Sequence, residues 1–321
     1  MTSPKTILEN LKNLNQYLAQ FDRSEQSTYF EKFIAEVLSR ILNLPFYTMD
    51  DDNTAVPHRI IWQGSTNPVS KAPLEKPDVV AYCYDFCLTI EATLKTGVNQ
   101  WTQEFASSIR HCANFCSQSR IQEKDAIALL ICTKLHEDTY RSIKSNPKPE
   151  CKLIPIEVSE LVRILETSIL AFTMRHLEFR RLLNQVSDCI RTSSSLDNFQ
   201  SDMDILLTNW QKDVLKIERS AIISVKSYEA MRSINRTHIS VGEIFSILLK
   251  DQTINEYLRI IGDKLSFDII EESLLQQGLA FQFSPTFDEK LFYPVPFADF
   301  KERGLRLIKA VEEGNGSLQC R

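Results

Sequence analysis

Asp78, Glu91 and Glu104 follow one another at intervals of thirteen residues, and the stretch from Pro77 to His111 gathers the residue types best able to do chemistry. Asp78 opens one apolar run, Val79 to Tyr82. Glu91 lies inside the next, followed by Thr93 and then Lys95. Side chains alternate faces along a strand, so Glu91, Thr93 and Lys95 are expected on one side of it. An apolar strand that gives alternate positions to polar groups lines a site. Two carboxylates on adjacent strands joined by a tight turn suit a hard divalent cation with oxygen ligands. A polar helix is predicted over 98–117, where Glu104 and His111 lie two turns apart on a shared face and Arg110 adds a cation. Three carboxylates with a histidine and an arginine fit metal-assisted phosphodiester hydrolysis. Metal clamps the scissile phosphate and activates water, while a cation offsets transition-state charge.

Pro77-Asp78 followed by Glu91-Ala92-Thr93 resembles the PD-(D/E)XK signature of restriction-endonuclease-like nucleases. With Glu104, Arg110 and His111 added, the stretch is similar to the catalytic domain of the AlwI group of type IIS restriction endonucleases and their nicking relatives. The resemblance implies an α/β, three-layer core with a mixed central sheet. It also implies that Asp78, Glu91 and Glu104 bind Mg2+, for which Mn2+ can substitute, and that His111 belongs to the site. Double-stranded DNA would be the substrate, with Arg110 on its phosphate. Thr93 departs from the signature, which carries lysine there. The water-orienting role would then pass to Lys95, Glu104 or a second metal. One such site cuts one strand, so double-strand cleavage implies a homodimer or a heteromeric partner subunit.

Composition sets the frame around this stretch. A chain of 321 residues, 43% hydrophobic and 25% charged, can bury a good core in two or three units. The net charge of −5 shows no global basic field, so any nucleic-acid surface must be local. Only eight glycines point to a helix-rich chain. No signal peptide or long apolar span is evident, and the expectation is a cytoplasmic protein with reduced cysteines and no membrane association. Cys83 with Cys87 and Cys112 with Cys116 repeat a spacing that zinc could use. Small buried thiols in apolar elements are the plainer account.

In chain order, leucines at positions 8, 11, 14 and 18 predict an amphipathic helix over 4–21. Ser24 is expected to cap a second helix whose stripe includes Phe30, Phe33 and Ile34. In nucleases of the family it resembles, such a helix can carry a glutamate to the site, and Glu31 is the candidate. Strands are expected over 45–49 and 58–63 around the acidic triplet Asp50-Asp51-Asp52, read as a solvated loop tip. Residues 64–76 read as a long loop able to touch substrate. An apolar strand over 126–132, a helix near 137–145, a strand over 152–156 and a helix from Ser159 complete the core. His136 reads as a loop histidine.

Beyond the core, residues 172–232 are helix-compatible, with Arg175, Arg180, Arg181 and Arg191 offering either a solvated face or a DNA-backbone contact. Three short helices from Ser240 to Leu275, ended by Gly278, and a hairpin of 279–283 with 291–295 suggest a winged-helix-like module. The expected domains are 1–170 nuclease, 171–235 helical connector and 236–321 winged-helix-like. The leading function is a Mg2+-dependent DNA endonuclease, type IIS-like or nicking, or the cleavage subunit of one. Its alternative is a catalytically degenerate nuclease-fold subunit that binds DNA or a partner.

Overall fold

The computed structural model describes residues 3–51, 55–66, 69–73, 75–119, 122, 125–146, 152–171, 176–233, 239–276, 280–283 and 290–293. Two compact units divide the chain, 1–211 and 212–321, and the division falls inside one long helix, Leu196–Ser233.

The first unit is built on a six-stranded sheet. Its strands are β1 (Phe46–Thr48), β2 (Arg59–Trp62), β5 (Val79–Tyr82), β6 (Cys87–Thr93), β7 (Ala126–Cys132) and β8 (Lys152–Glu157), in the spatial order β1-β2-β5-β6-β7-β8. A small separate hairpin, β3 (Ser65–Thr66) with β4 (Val69–Ser70), lies between β2 and β5 in sequence. The sheet is mixed: β2, β5 and β6 pair antiparallel, whereas β6, β7 and β8 run parallel. Every residue of β6 and β7 is buried, so helices cover both faces and the expected three-layer α/β core is present. Helix α3 (Gln26–Leu42) packs on β2, β5 and β6, and α4 (Ala106–Ser119) packs on β6 and β7. Helices α5 (Glu137–Lys144) and α6 (Val158–Leu170) bracket β8 in sequence.

Several local expectations needed correction. The leucine-rich first helix is two: α1 (Pro4–Lys12), capped by Ser3, and α2 (Leu14–Leu18), separated at Asn13. Leu11 of α1 and Leu14 and Leu18 of α2 stay buried across the break, while Leu8 is half-buried. Ser24 does not cap α3; the helix opens from a turn ending at Glu25, which gives no side-chain cap. The supposed loop 64–76 contains the β3–β4 hairpin. His136 is a helix cap, with Nδ1 accepting from Asp138 N at 3.3 Å. The acid triplet is used locally: Asp51 accepts from Thr48 and Asp50 from Ser65, while Asp52 lies outside the described residues. Cys83, Cys87, Cys112 and Cys116 are buried free thiols.

Helices α7 (His176–Thr192) and α8 (Leu196–Ser233) follow the sheet. Arg163 of α6 binds Asp204, Thr208 and Gln211 of α8, tying that stretch into the first unit. The arginines of α7 are spent on neighbours: Arg180 pairs with Asp85, Arg181 with Glu178 and Arg191 with Asp188, while Arg175 falls outside the described residues.

In the second unit, α9 (Val241–Leu248), α10 (Gln252–Ile261) and α11 (Phe267–Gln276) join a three-stranded antiparallel sheet. Its strands are β9 (Ile239–Ser240), β10 (Ala280–Phe283) and β11 (Lys290–Tyr293), in the order β10-β11-β9. Ser240, which opens the first of the expected short helices, caps α9 reciprocally with Glu243. Ile239, Ile244, Leu248, Ile254, Leu258, Ile270 and Leu274 form the core. Three helices thus stand with three strands, and β9 is added to the expected hairpin. Gly278, the hairpin tip and the tail lie outside the described residues.

Candidate active site

Register brings the first two carboxylates face to face. Val79 pairs with Ile90 across the antiparallel β5–β6 ladder, so Asp78, one residue before β5, stands opposite Glu91. The Asp78 carboxyl turns in and accepts from Ala92 N at 2.9 Å. Strand β6 ends at Thr93, whose hydroxyl accepts from Lys95 N at 3.0 Å. Lys95 is therefore off the strand, contrary to the simple alternation, yet its ammonium still turns back into the site. It donates to Glu104 Oε1 at 2.6 Å.

Glu104 sits on a π-helical turn, Gln100–Phe105, that leads into α4. His111 of α4 places Nδ1 2.7 Å from Glu91 Oε1, both side chains being buried. Gln100 is fully buried and fastens the ends of β6 and β7: it donates to Lys134 O and Lys95 O and accepts from His136 N. Sequence spacing carries no sign of that role, which arises only when two strand ends meet.

Glu31 of α3 reaches the same place. It is 4% exposed, and its Oε2 has no hydrogen-bond partner. The resulting cleft, of about 550 Å3, is lined by Glu31, Asp78, Glu91, Thr93, Lys95, Glu104, Arg110 and His111. Arg23, Lys71 and Lys76 also line it, none of which the spacing singled out beyond the expectation that the 64–76 segment meets substrate. The structure thus brings every predicted site residue to one cleft.

Electrostatically the floor is acid and under-compensated. Burial pushes the Glu91 carboxyl up to about 9, helped by Glu104 and Glu31 nearby, while Arg110 pulls the other way. Burial and then Asp78 push Glu31 up to about 8, with Lys71 opposing. Asp78 is raised well above its usual range, by burial first and Glu91 second. Mutual repulsion of this kind is what an added cation relieves. Among the described residues, no three acid, imidazole or thiol side chains are already drawn together as a metal cage. Glu104 instead leans on Lys95, Glu91 on His111 and Asp78 on Ala92 N. The donors nonetheless suit Mg2+ or Mn2+: they are hard oxygens, and one carboxylate oxygen is buried without a partner. Asp78, Glu91 and Glu104 are the carboxylates that would hold such an ion, with Glu31 lining the same cleft.

Residues 3–164, half of the chain, match the AlwI restriction endonuclease family. Among solved structures, the small subunit of a heterodimeric restriction endonuclease aligns with a TM-score of 0.45 at 16% identity, covering 65% of this chain and 99% of that one. No curated protein matches. Among the described residues no helix is long and apolar enough to cross a membrane.

Proposed function

The chain belongs to the AlwI restriction endonuclease family, and from that premise we propose that it is a Mg2+-dependent endonuclease hydrolysing phosphodiester bonds in double-stranded DNA. It would work as a nicking or type IIS-like enzyme, or as the cleavage subunit of one. One observation carries the reading: Glu31, Asp78 and Glu91 are crowded at the bottom of a cleft whose walls bear Arg23, Lys71, Lys76, Lys95 and Arg110. An acid floor beneath cationic walls matches a phosphodiester whose scissile group needs a metal and whose flanking phosphates need positive charge.

Asp78, Glu91 and Glu104 would hold the ion, and Mn2+ would substitute. When bound, a divalent cation polarises the scissile phosphate and eases deprotonation of the attacking water. Arg110, exposed beside the floor, reaches a non-bridging phosphate oxygen. Lys95 Nζ exchanges Glu104 Oε1 for a phosphate oxygen as DNA enters, which releases Glu104 to its own task. His111 Nδ1 shares a 2.7 Å hydrogen bond with Glu91 Oε1, which fixes the imidazole beside the carboxyl that would bind the ion. Thr93 fixes the Lys95 amide and so aims the lysine.

A single site breaks one strand, so double-strand cleavage would require a second copy or a partner subunit. One observation favours the rival reading of a degenerate, binding-only subunit. Thr93 occupies the signature's lysine position, its hydroxyl bound to Lys95 N, and Lys95 is bound to Glu104. Incubating the purified protein with supercoiled plasmid, with and without Mg2+, separates the two. Nicked or linear product that needs Mg2+ supports the enzyme. Intact plasmid beside a shifted DNA band supports the binder.

A further inference from the structure

The lysines of the cleft differ in what holds them. Lys95, at one end of the acid floor, is tied to Glu104. Lys71 lines the same cleft, is exposed, and makes no hydrogen bond or ion pair with a described residue. Its charge falls on the other end of the floor, where it opposes the upward push on both Asp78 and Glu31.

Its delivery is built into the fold. In the β3–β4 hairpin Ser65 pairs with Ser70 and Thr66 with Val69, so the chain leaves the last rung directly into Lys71. That rung is pressed against Trp62. A Cβ on Gly64 would lie 2.3 Å from Trp62 Cζ2 and 2.6 Å from Ser70 O, distances no side chain tolerates. Glycine is required there for the close approach. Trp62 is itself 1% exposed, and its indole N–H and Glu31 Oε2 both lack a hydrogen-bond partner. Helix α3, which carries Glu31, packs on β2, which carries Trp62. Gly64, Trp62 and Ser70 therefore fix Lys71 relative to the acid floor through backbone contact rather than through a flexible loop.

We propose that Lys71, placed by the Gly64–Ser70 hairpin on the Asp78–Glu31 side of the cleft, contacts a phosphate of the bound DNA strand. There it supplies the positive charge that Thr93 cannot. The inference rests on the nuclease reading for its substrate. Its premise is physical: an unpartnered ammonium, carried beside a carboxylate floor by a backbone that Gly64, Trp62 and Ser70 hold in place, is available to an anion in a way that Lys95 is not. A phosphate oxygen entering the cleft meets Lys71 without having to displace an existing ion pair.

The test uses the full chain and three substitutions: Lys71→Ala, Lys71→Arg and, as a control on the distant first helix, Lys5→Ala. Plasmid cleavage is measured under single-turnover conditions in Mg2+, and binding by gel shift in Ca2+ across a salt series. Lys71→Ala should slow cleavage by about 10²-fold, the loss typical of one preorganised charge-stabilising group. It should also flatten the log–log salt dependence of binding by about one phosphate contact. Lys71→Arg should keep the salt slope and recover part of the rate, a rescue that a purely structural role would not show. Lys5→Ala should change neither. A Lys71→Ala protein with wild-type slope and wild-type rate overturns the proposal while leaving the nuclease reading intact. Wild-type protein that binds but never cuts removes the nuclease reading and leaves Lys71 judged on the salt slope. Wild-type protein that neither binds nor cuts removes both.

Discussion

Two places in this molecule gather charged side chains, and they treat them in opposite ways. In the second unit, Arg219 is 8% exposed and donates to Asp263 at 2.6 Å and Glu272 at 2.9 Å, while Lys216 adds a second cation to Glu272. The Lys216 contact holds the Glu272 carboxyl below its usual range. In the first unit Glu31, Asp78 and Glu91 meet with little inside the floor to answer them, and all three carboxyls are pushed upward. In the first arrangement each carboxylate has a cation beside it, although Arg219 Nε is itself buried without a partner; in the second the acids face one another and are completed only by something that binds. Carboxylates paired with cations need no ligand, whereas acids gathered against one another in a cleft are how perturbed groups at functional sites look.

The largest effect that would sharpen this contrast is catalytic. Glu104→Gln keeps size and hydrogen bonding to Lys95 but deletes the charge, and should cost about 10²–10³ in cleavage rate, or roughly 3–4 kcal/mol. DNA affinity in Ca2+ should stay level or rise. Parallel losses of binding and cleavage would assign Glu104 to holding the fold.

The next effect is on stability. Mg2+ or Mn2+ should raise the melting temperature of the wild-type protein, with about 2.7 kcal/mol of stabilisation at a hundredfold excess over the dissociation constant. Asp78→Asn should erase that response. Indifference of the wild-type melting temperature to both ions at millimolar concentration would mean that the acid floor does not bind metal.

In the Arg219 cluster the same kind of surgery should be simpler. Arg219→Met removes the shared partner of Asp263 and Glu272, both of which are part-exposed, and should cost about 1–2 kcal/mol. The loss should not depend on Mg2+. A Mg2+-dependent loss would break the comparison, because it would make the second unit's acids a cation site too.

How much of this could be read from the chain depended on distance along it. Asp78, Glu91, Glu104 and His111 were legible because a hairpin of two short strands and the next helix place them by local periodicity alone. The strand over 126–132 was legible as a continuous apolar run, and the first short helix of the second unit from the serine that opens it. What escaped depends on backbone meeting backbone from afar. Gln100 joins Lys95 to Lys134 and His136 only once β6 and β7 lie side by side. Gly64 looks like a loop glycine until Trp62 and Ser70 close on it. Strand β9 spans two residues and has no pattern of its own; its pairing with β11 makes it a strand. Lys95 was expected on the right side for the wrong reason. The strand stops at Thr93, and a side-chain-capped turn, not alternation, returns the lysine to the site.

The smallest effect is the pH dependence, and here the two regions should differ in sign. Glu31 and Glu91 titrate near about 8 and about 9 in the folded protein, against roughly 4.3 in an unfolded chain. The native state therefore binds more protons than the unfolded state between those values, so stability falls as pH rises. This contribution is full below the unfolded pKa and is lost as pH climbs through 8 and 9. Glu272 and Asp251 are lowered on folding, so theirs is present above the unfolded value and lost as pH falls through the folded one. Both of these are partly solvated, and their share is small. Metal should flatten the alkaline loss, because the ion binds the ionised carboxylates and makes their deprotonation favourable. Trp62, Trp101 and Trp210 all belong to the first unit, so tryptophan fluorescence follows it selectively. In EDTA the fluorescence-detected melting temperature should decline from pH 6 to pH 9, and millimolar Mg2+ should reduce that decline. A melting temperature that climbs over the same window in EDTA would show the acids already ionised and paired, like those beside Arg219.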